Sequence, residues 1–457
     1  MNQSIYHFLL YLLLITVLYT KSANSISIDR NKLEKYIVSK ANNQIRIEPS
    51  TNENFSFEDY KNETIFTSEK IPVKYWKNKK KEALQERIEN EVNYNSDPNI
   101  VVTSDKFSFY DQLNSNEKQI YDILLANSDK PYPELDIKVV ISGINDIYAF
   151  IDELVISAEK IFTVLSYENP RLWWIGTYQF VVLSTQYEDQ FIVNFITIPE
   201  DSSFYGYSSN DIYNLNQEIE NKKIEIMNDI AQRNITTPYA IVRYLHDYFI
   251  TNIVYTLDDN KKHIRTLYGA LVENECVCEG YAEAFQYLAQ QYGINCLVAR
   301  SSTHEWNFVE INNKWYVLDI TYDDPMVNGK HAASGTNDNL RLDYFLIGTD
   351  DKVSKDTVYS KEINHILIYS GFSDKEIVSY PKIEKTHYLP TDSEINEVFS
   401  LDLVLPSTHT SVLYINDPIR NSNKGGDEYQ SDAHSIKKMG IFTIFNICLI
   451  ILLLNFV

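Results

Sequence analysis

The chain has 457 residues, about three times the usual domain length, and 44% of them are aliphatic or aromatic. These values predict a pair of domains with further segments, and four cysteines are too few for a small disulfide scaffold. The formal net charge of −22 would repel nucleic acid phosphates and anionic membrane surfaces, which excludes nucleic acid as a partner.

Residues 1 to 25 have the pattern of a secretory signal peptide. Residues 8 to 19 form an apolar run too short for a membrane span, and polar and small residues follow it. An uncleaved signal anchor is the alternative. Either way we expect the chain to enter the secretory pathway, where acceptor triplets make Asn54, Asn62 and Asn234 the glycosylation candidates.

Residues 26 to 104 are rich in Asn, Lys, Glu and Ser without sustained periodicity, which predicts a low-complexity or loosely ordered region. A small α+β domain is predicted over 105 to 225. Asn114 and Glu117 have the spacing of a helix capping box. Runs rich in β-branched and aromatic residues, with a long helical stretch between the first two, predict strands: ELDIKVV, WWIGTYQFVVLS and DQFIVNFITI.

The predicted core, 226 to 350, begins with an amphipathic helix. Thr237-Pro238 has the form of an N-cap and first turn, and apolar residues follow at helical spacing. His246 and Asp247 are adjacent on this helix, where neighbouring side chains point about 100° apart. We therefore predict that they are structural, and that they do not orient each other as a catalytic pair.

Cys278 is predicted to lie at the N-terminus of the next helix. Residues 279 to 292 carry apolar side chains at helical spacing, and Gly293 is a typical helix terminator. The helix dipole stabilises a thiolate at such a position, and free backbone N–H groups there can hold an oxyanion. The pattern indicates a nucleophilic cysteine with a lowered thiol pKa.

Two short strands follow, HEWNFVEI and WYVLDI, and the pair Asn312-Asn313 between them suits a tight turn with positive φ. A two-residue loop makes His304 and Asp319 diagonal neighbours on one face of the hairpin. Diagonal backbones about 7 to 8 Å apart let the carboxylate accept from one imidazole nitrogen while the other faces Cys278. The spacing predicts a Cys-His-Asp triad.

Other interpretations of these residues remain open. A lone Cys or His is usually a packing residue. Cys276, Cys278 and Cys296 with His304 could bind zinc, but a Cys-x-Cys spacing is tighter than the usual zinc spacing, so we predict no metal. An oxidising compartment permits a Cys276–Cys296 disulfide, and Cys296 is equally compatible with a buried strand position.

The C-terminal part is predicted as three segments. Residues 351 to 420 contain short β-like pieces such as HILIYSG, without a chemical constellation, and form an extension packed on the core. A polar linker covers 421 to 438, and 439 to 457 form a hydrophobic tail. Lysines before the tail oppose a permanent span under the positive-inside rule, and small residues at Gly425 match a glycolipid-anchor signal. An uncleaved transmembrane tail is the alternative.

Several short motifs surround the predicted triad. They are Tyr268-Gly269-Ala270-Leu271, Val277-Cys278-Glu279-Gly280-Tyr281-Ala282, Gly293-Ile294, His304, Trp306-Asn307, Trp315-Tyr316, Asp319, Thr321 and Asp323-Asp324-Pro325. Together they resemble the transglutaminase-like superfamily, above all bacterial and fungal members whose core follows a small N-terminal domain. The resemblance covers about 110 to 350, and its Cys-centred motif is specific.

The resemblance implies an α+β, papain-like core, in which a nucleophile-bearing helix packs on an antiparallel sheet. It gives Cys278 the role of nucleophile, His304 that of general base and then acid, and Asp319 that of orienting residue. Tyr268 is a weaker candidate for an oxyanion donor. Supporting positions are Glu279, Trp306 and Asn307.

The implied chemistry is acyl transfer, without a cofactor. A protein or peptide amide would form a thioester with Cys278, which a primary amine would convert to a cross-link and water to a deamidated or cleaved product. The calcium sites of animal transglutaminases lie outside the part of the family that this chain resembles, so they are not carried over to it. A different class of function is also open: some relatives have lost triad members and act as scaffolds, so a non-catalytic scaffold or adhesion module at the cell surface is the alternative.

Overall fold

The computed structural model describes residues 46–49, 63–73, 107–128, 135–198, 207–258, 260–324, 326–327, 330–331, 341–354, 357–371 and 375–399. The predicted signal peptide, linker and tail lie outside these residues, as do Asn54, Asn62 and Gly425. In the described part, no helix is both long and apolar enough to cross a membrane.

The first part of the fold is a six-stranded sheet with two helices. Its strand order is β1-β4-β6-β5-β2, and β3 also pairs with β5. The long strands β4, β6 and β5 are antiparallel neighbours. The elements are β1 (Arg46–Pro49), β2 (Thr64–Thr67), β3 (Ile71–Pro72), α1 (Ser115–Ser128), β4 (Leu135–Ser142), α2 (Ile147–Glu168), β5 (Thr177–Ser184) and β6 (Gln190–Ile198).

The helices of this part form as the sequence predicts. Asn114 accepts from the Glu117 N–H at 3.0 Å and donates its own N–H to the Glu117 carboxylate at 2.7 Å, which completes the capping box of α1. Helix α2 packs on the sheet through Phe162, whose ring stacks on Tyr178 with centroids 3.9 Å apart. The helix and strands predicted for this domain are thus present.

Strands β1, β2 and β3 lie within the region that we predicted to be loosely ordered, and for these residues that prediction is wrong. Each strand is only two to four residues long, and β2 and β3 pair with β5. A strand this short shows too little alternation to be recognised without its partner. For β2 and β3 the sheet supplies that partner from more than 100 residues further along the chain.

The second part of the fold carries the predicted core and contains a four-stranded sheet of order β14-β11-β10-β9. Helix α3 continues across the predicted boundary between 225 and 226. The elements are α3 (Ser209–Gln232), α4 (Pro238–Asn252), β7 (Val254–Tyr255), β8 (Glu275–Cys276), α5 (Cys278–Gln291), β9 (Cys296–Arg300), β10 (Glu305–Ile311), β11 (Lys314–Leu318), α6 (Ile320–Asp323), β12 (Met326–Val327), β13 (Lys330–His331) and β14 (Phe345–Ile347).

Helix α5 is the central helix of this part and is buried along most of its length. A side chain at Gly280 would collide with Cys276, so only glycine allows the first turn of α5 to approach β8 this closely. Gly293 follows the helix with φ of +68°, the left-handed conformation that ends many helices. The helix therefore begins at Cys278 and ends where the sequence predicts.

The hairpin of β10 and β11 has the predicted register. Ile311 pairs with Lys314 and Asn307 with Leu318. The two loop residues, Asn312 and Asn313, have φ of 54° and 60°. These positive values are those of a type I′ turn, which Asn tolerates better than most residues do.

The C-terminal extension packs on the core, as predicted, but HILIYSG is not a strand. The segment begins in a 3₁₀ turn, Ile363–His365, and the N–H of Ile368 donates to the carbonyl of Arg300 at 2.8 Å. Further along, Ile383 bridges to Trp315 beside β11. The described chain closes with α7 (Asp392–Phe399), whose Glu397 accepts from the backbone N–H groups at the start of α4. The fold class is α+β, as predicted.

Candidate active site

Cys278 is the first residue of α5, and its side chain is almost fully buried. The thiol donates to Glu279 Oε2 with a sulfur–oxygen distance of 3.1 Å. Glu279 in turn accepts from Arg265 at 2.6 Å through its other oxygen. The candidate nucleophile is thus the first of three hydrogen-bonded side chains, the Cys278 thiol, the Glu279 carboxylate and the Arg265 guanidinium.

The thiol pKa of Cys278 differs from the value that the helix position predicts. Burial raises this pKa well above the ordinary value, and the adjacent Glu279 charge raises it further. The Glu305 N–H, which donates to the sulfur, acts in the opposite direction. The net direction is upward, so the expectation of a lowered thiol pKa is wrong for this arrangement because desolvation outweighs the helix terminus.

His304 and Asp319 meet as the hairpin register predicts. His304 Nε2 lies 2.6 Å from Asp319 Oδ2, and both side chains are buried. Asp319 follows β11 directly and caps α6, since its Oδ1 accepts from the Tyr322 N–H at 3.1 Å. Burial works to raise the pKa of Asp319, but the imidazoles of His304 and His365 hold it well below the usual range.

The protonation of His304 follows from this pairing. An ionised Asp319 only accepts, so Nε2 of His304 carries the proton and Nδ1 is the basic nitrogen. Within the described residues, Nδ1 is buried and has no hydrogen-bond partner. The Cys278 sulfur accepts from Glu305, the residue next to His304, but no hydrogen bond joins the thiol to Nδ1 there. The predicted His304–Asp319 contact is present, and the predicted thiol–imidazole contact is not formed in this state.

The structure adds a residue that the sequence interpretation missed. His365 Nε2 lies 2.8 Å from Asp319 Oδ2, the same oxygen that His304 contacts. Burial lowers the pKa of His365, and although Asp319 opposes this, the net direction is downward, which favours a neutral imidazole. The sequence predicts no group of catalytic or binding residues after residue 350, and this contact corrects that prediction. A polar imidazole opening the apolar run HILIYSG was the available signal.

The three donor atoms of His304, Asp319 and His365 lie within 4.8 Å of one another, a spacing that a metal ion could use. Both imidazole nitrogens, however, lie at hydrogen-bond distance from one carboxylate oxygen, which requires protons where a metal would bind. The alternative zinc set of three cysteines with His304 does not form a cluster in the described part. Cys276, Cys278 and Cys296 are free, buried thiols, so no Cys276–Cys296 disulfide is present.

The three predicted supporting residues make three different kinds of contact in the site. The Trp306 ring stacks on His304 with an angle of 14° between the planes. Asn307 Nδ2 donates to the carbonyl oxygens of Ala282 at 3.0 Å and Leu297 at 3.3 Å, which joins α5 to β9. Glu279 contacts the thiol directly.

Tyr268 and Asn234 lie away from these contacts. The Tyr268 hydroxyl donates to Glu218 on α3 at 2.6 Å, and its ring stacks on Trp173. That hydrogen bond uses the only proton that the hydroxyl could offer an oxyanion, so the geometry favours core packing for Tyr268. Asn234 is exposed in a left-handed turn after α3, where its side-chain amide is accessible.

A second buried cluster links α4 to α6, the short helix that Asp319 caps. His246 Nδ1 lies 2.8 Å from Asp247 Oδ1, and its Nε2 lies 3.1 Å from Asp323 Oδ2. Arg243 contacts both oxygens of Asp247, at 2.9 and 2.8 Å. Adjacent helical residues can therefore bond when their side chains bend towards each other, and the geometric argument against a His246–Asp247 contact is wrong.

Comparison with known proteins identifies the class of this core. Residues 227–320 match the family model described as the transglutaminase-like superfamily. The matched range contains Cys278, His304 and Asp319. Residues 227–320 are thus similar to the transglutaminase-like superfamily, and the predicted resemblance is confirmed over these residues.

One solved structure that is similar to the chain is described as a crystal structure of a TGase. The two share 13% sequence identity with a TM-score of 0.23, and the similarity covers 35% of this chain. It spans 48% of that chain, about half its length. No curated protein matches this chain.

Proposed function

We propose that the chain is a cysteine acyltransferase or hydrolase that acts on protein amides through a thioester at Cys278. The observation that carries this proposal is the buried His304, whose Nε2 is bonded to an ionised Asp319 and whose Nδ1 is left without a partner among the described residues. A base oriented by a carboxylate and a helix-terminal cysteine in the same core are the two groups that thiol catalysis requires. The transglutaminase-like core supports protein substrates.

In this mechanism the thiol proton passes from Cys278 to His304 Nδ1. The sulfur then attacks the amide carbonyl carbon, and backbone N–H groups in the first turn of α5 would stabilise the oxyanion. The imidazolium returns the proton to the leaving amine as the carbon–nitrogen bond breaks, which leaves a thioester. An amine acceptor then forms a new amide, whereas water releases an acid, and His304 removes the acceptor's proton in both cases.

The test is incubation of the full chain with a glutamine-containing protein and a labelled primary amine. We expect Cys278-dependent incorporation of the label if an amine is the acceptor, and deamidation or cleavage if water is. Cys278→Ala should abolish all three products. Cys296→Ala removes another buried thiol and should leave activity intact. Equal product from the wild type and Cys278→Ala would refute the proposal.

A non-catalytic scaffold is the second candidate, and one observation favours it. The thiol is buried and donates to Glu279, so it is protonated and not poised to react in this state. A scaffold predicts that Cys278→Ala leaves the biological phenotype unchanged, while deletion of residues 227–320 removes it. Loss of the phenotype in Cys278→Ala would exclude this candidate.

We also propose that the protein acts at the cell surface or in the lumen of a secretory compartment. The support is the N-terminal apolar run, the charge-free C-terminal run and the small residues at Gly425. Phosphatidylinositol-specific phospholipase C should release the protein from intact cells. An epitope after Val457 that persists in the membrane-bound protein would instead indicate an uncleaved transmembrane tail.

A further inference from the structure

We propose that His365 is a positioning residue that holds Asp319 in the orientation that His304 needs. The proposal rests on the proposed function, because it assigns a role within the same site. It extends that site beyond the family match, which ends at residue 320. The residue comes from the C-terminal extension, which the sequence motifs of the core do not include.

The first argument is the set of donors around Asp319. Oδ2 accepts from His304 at 2.6 Å and from His365 at 2.8 Å, and Oδ1 accepts from the Tyr322 N–H at 3.1 Å. A carboxylate can rotate about its bond to Cβ, and one donor on each oxygen would leave a second orientation available. Here His304 and His365, which come from different segments, both donate to Oδ2. This arrangement determines which carboxylate oxygen accepts from His304.

The second argument is the rigidity of His365 itself. The residue is fully buried, and its N–H donates to the Glu362 carbonyl at 3.0 Å within a 3₁₀ turn. Aromatic rings surround the imidazole, with ring centroids 4.7 to 5.5 Å away: Trp306, Tyr322, Tyr359 and Tyr344. An imidazole packed on these sides cannot rotate away from Asp319. The carboxylate is therefore fixed relative to the C-terminal extension.

The third argument concerns charge. A neutral His365 that donates to Oδ2 adds no positive charge, but it takes up part of the carboxylate's hydrogen-bonding capacity. Less of the negative charge is then available to stabilise an imidazolium at His304. His365 and His304 therefore share the charge of one carboxylate oxygen. Other titratable groups facing this trio are the carboxyls of Glu362 and Asp323 and the phenols of Tyr322, Tyr344 and Tyr359.

The experiment measures the rate of iodoacetamide labelling of Cys278 in the full chain as a function of pH. His365→Phe keeps a ring but removes the donor, and His365→Gln keeps an amide N–H near the position of Nε2. His387→Phe is the matched control, because His387 also contacts an aspartate, Asp351, at 2.9 Å in the same extension. The control should behave as the wild type.

For His365→Phe we expect a labelling rate about tenfold lower at neutral pH. We also expect the basic limb of the profile, the part above neutral pH where the rate changes, to be displaced upward by about 0.5 to 1 pH unit. The rate falls because Asp319, still bonded to His304, can then rotate between its two oxygens and holds the imidazole in its productive orientation less often. The limb moves upward because the whole carboxylate charge then acts on His304. His365→Gln should restore both values towards the wild type, whereas a purely structural role would change the rate without moving the limb.

The outcomes separate the two proposals. A wild-type profile that does not change in His304→Ala would refute the proposed function, whatever His365 does. A wild-type profile that depends on His304 but is unchanged in His365→Phe would overturn the positioning role. If His365→Phe does not fold, nitrogen-15 NMR of histidines in the wild type decides: we expect an exchange-protected Nε2–H on a His365 that stays neutral from pH 5 to 9, and titration in that range would overturn the proposal.

Discussion

At Cys278, opposing electrostatic influences act on a single sulfur atom. Burial and the Glu279 carboxylate raise the thiol pKa, while the Glu305 N–H lowers it. Arg265 contacts the Glu279 oxygen that the thiol does not use. The positive charge of Arg265 keeps Glu279 ionised, since the pKa of this carboxyl is lowered despite its burial. The pKa of the thiol therefore depends on a neighbouring ion pair as well as on burial.

Replacing Glu279 by Gln should make Cys278 more reactive towards iodoacetamide. The change removes the negative charge and leaves the positive Arg265 nearby, so the thiol pKa should fall by about 1 unit and labelling at pH 7 should rise by up to about tenfold. Arg265→Gln is the opposite control and should slow labelling. Unchanged or slower labelling in Glu279→Gln would show that the carboxylate does not control the thiol.

At the level of single residues, the sequence predicts local geometry well. Asn312 and Asn313 determine the hairpin turn, and the turn determines the register that brings His304 to Asp319. His365 could not be predicted in this way, because 46 residues separate it from Asp319 and no regular element carries it there. A contact of that kind depends on tertiary packing, which a periodic pattern does not encode.

Secondary-structure elements were predictable where they are long. Helix α5 and strands β4, β5 and β6 have enough residues to show their period, and they form where the sequence indicates. The short strands β1, β2 and β3 do not show a period, and the apolar run after His365 packs without becoming a strand. An apolar run indicates that a segment is buried, but a buried segment can have any backbone conformation. The run after His365 therefore does not specify a strand.

Helix α2 ends in a carboxyl group that should make the stability of the fold depend on pH. Burial raises the pKa of Glu168 to about 7, although the Tyr110 N–H, 3.0 Å from Oε1, acts to lower it. An unfolded chain would have a Glu pKa of about 4.3. The stabilising contribution of this group is therefore complete below about pH 4.3 and is lost as the pH rises through 7.

Glu168→Gln should remove this dependence, because the amide oxygen can still accept from Tyr110 and carries no charge. Relative to the wild type, the free energy of unfolding of the variant should increase by about 2 to 3 kcal/mol between pH 4.5 and pH 8. Urea unfolding of both proteins at the two pH values measures this difference. A constant difference across the range would show that Glu168 ionises as it does in the unfolded chain.

In the whole molecule, the catalytic candidates depend on segments on both sides of the family match. Arg300 Nη1 donates to Ser166 Oγ at 3.0 Å, and Gln286 Nε2 donates to the Tyr167 carbonyl at 2.7 Å, so α5 and β9 are bonded to α2. The extension supplies His365 from the other side. The core is thus a continuous part of a larger packed structure.

An isolated fragment of residues 227–320 should therefore fail to fold. Without α2 and the extension, the buried side chains of Arg300, Gln286 and Asp319 lose partners, and each unsatisfied buried polar group costs about 1 to 3 kcal/mol. Circular dichroism and size-exclusion chromatography should show an unfolded or aggregated fragment, whereas a fragment of residues 26–420 should be folded. Cooperative unfolding of the short fragment would contradict this view.

The late position of His365 in the chain has a consequence for biosynthesis. A ribosome makes Cys278, His304 and Asp319 first, and His365 emerges 46 residues after Asp319. Since domains fold as units while synthesis proceeds from the N-terminus, the nascent chain carries Cys278 before the last donor to Asp319 exists. The Asp319 carboxylate therefore gains its second donor to Oδ2 only once translation has passed residue 365, so the proposed acyl transfer would begin only after that point.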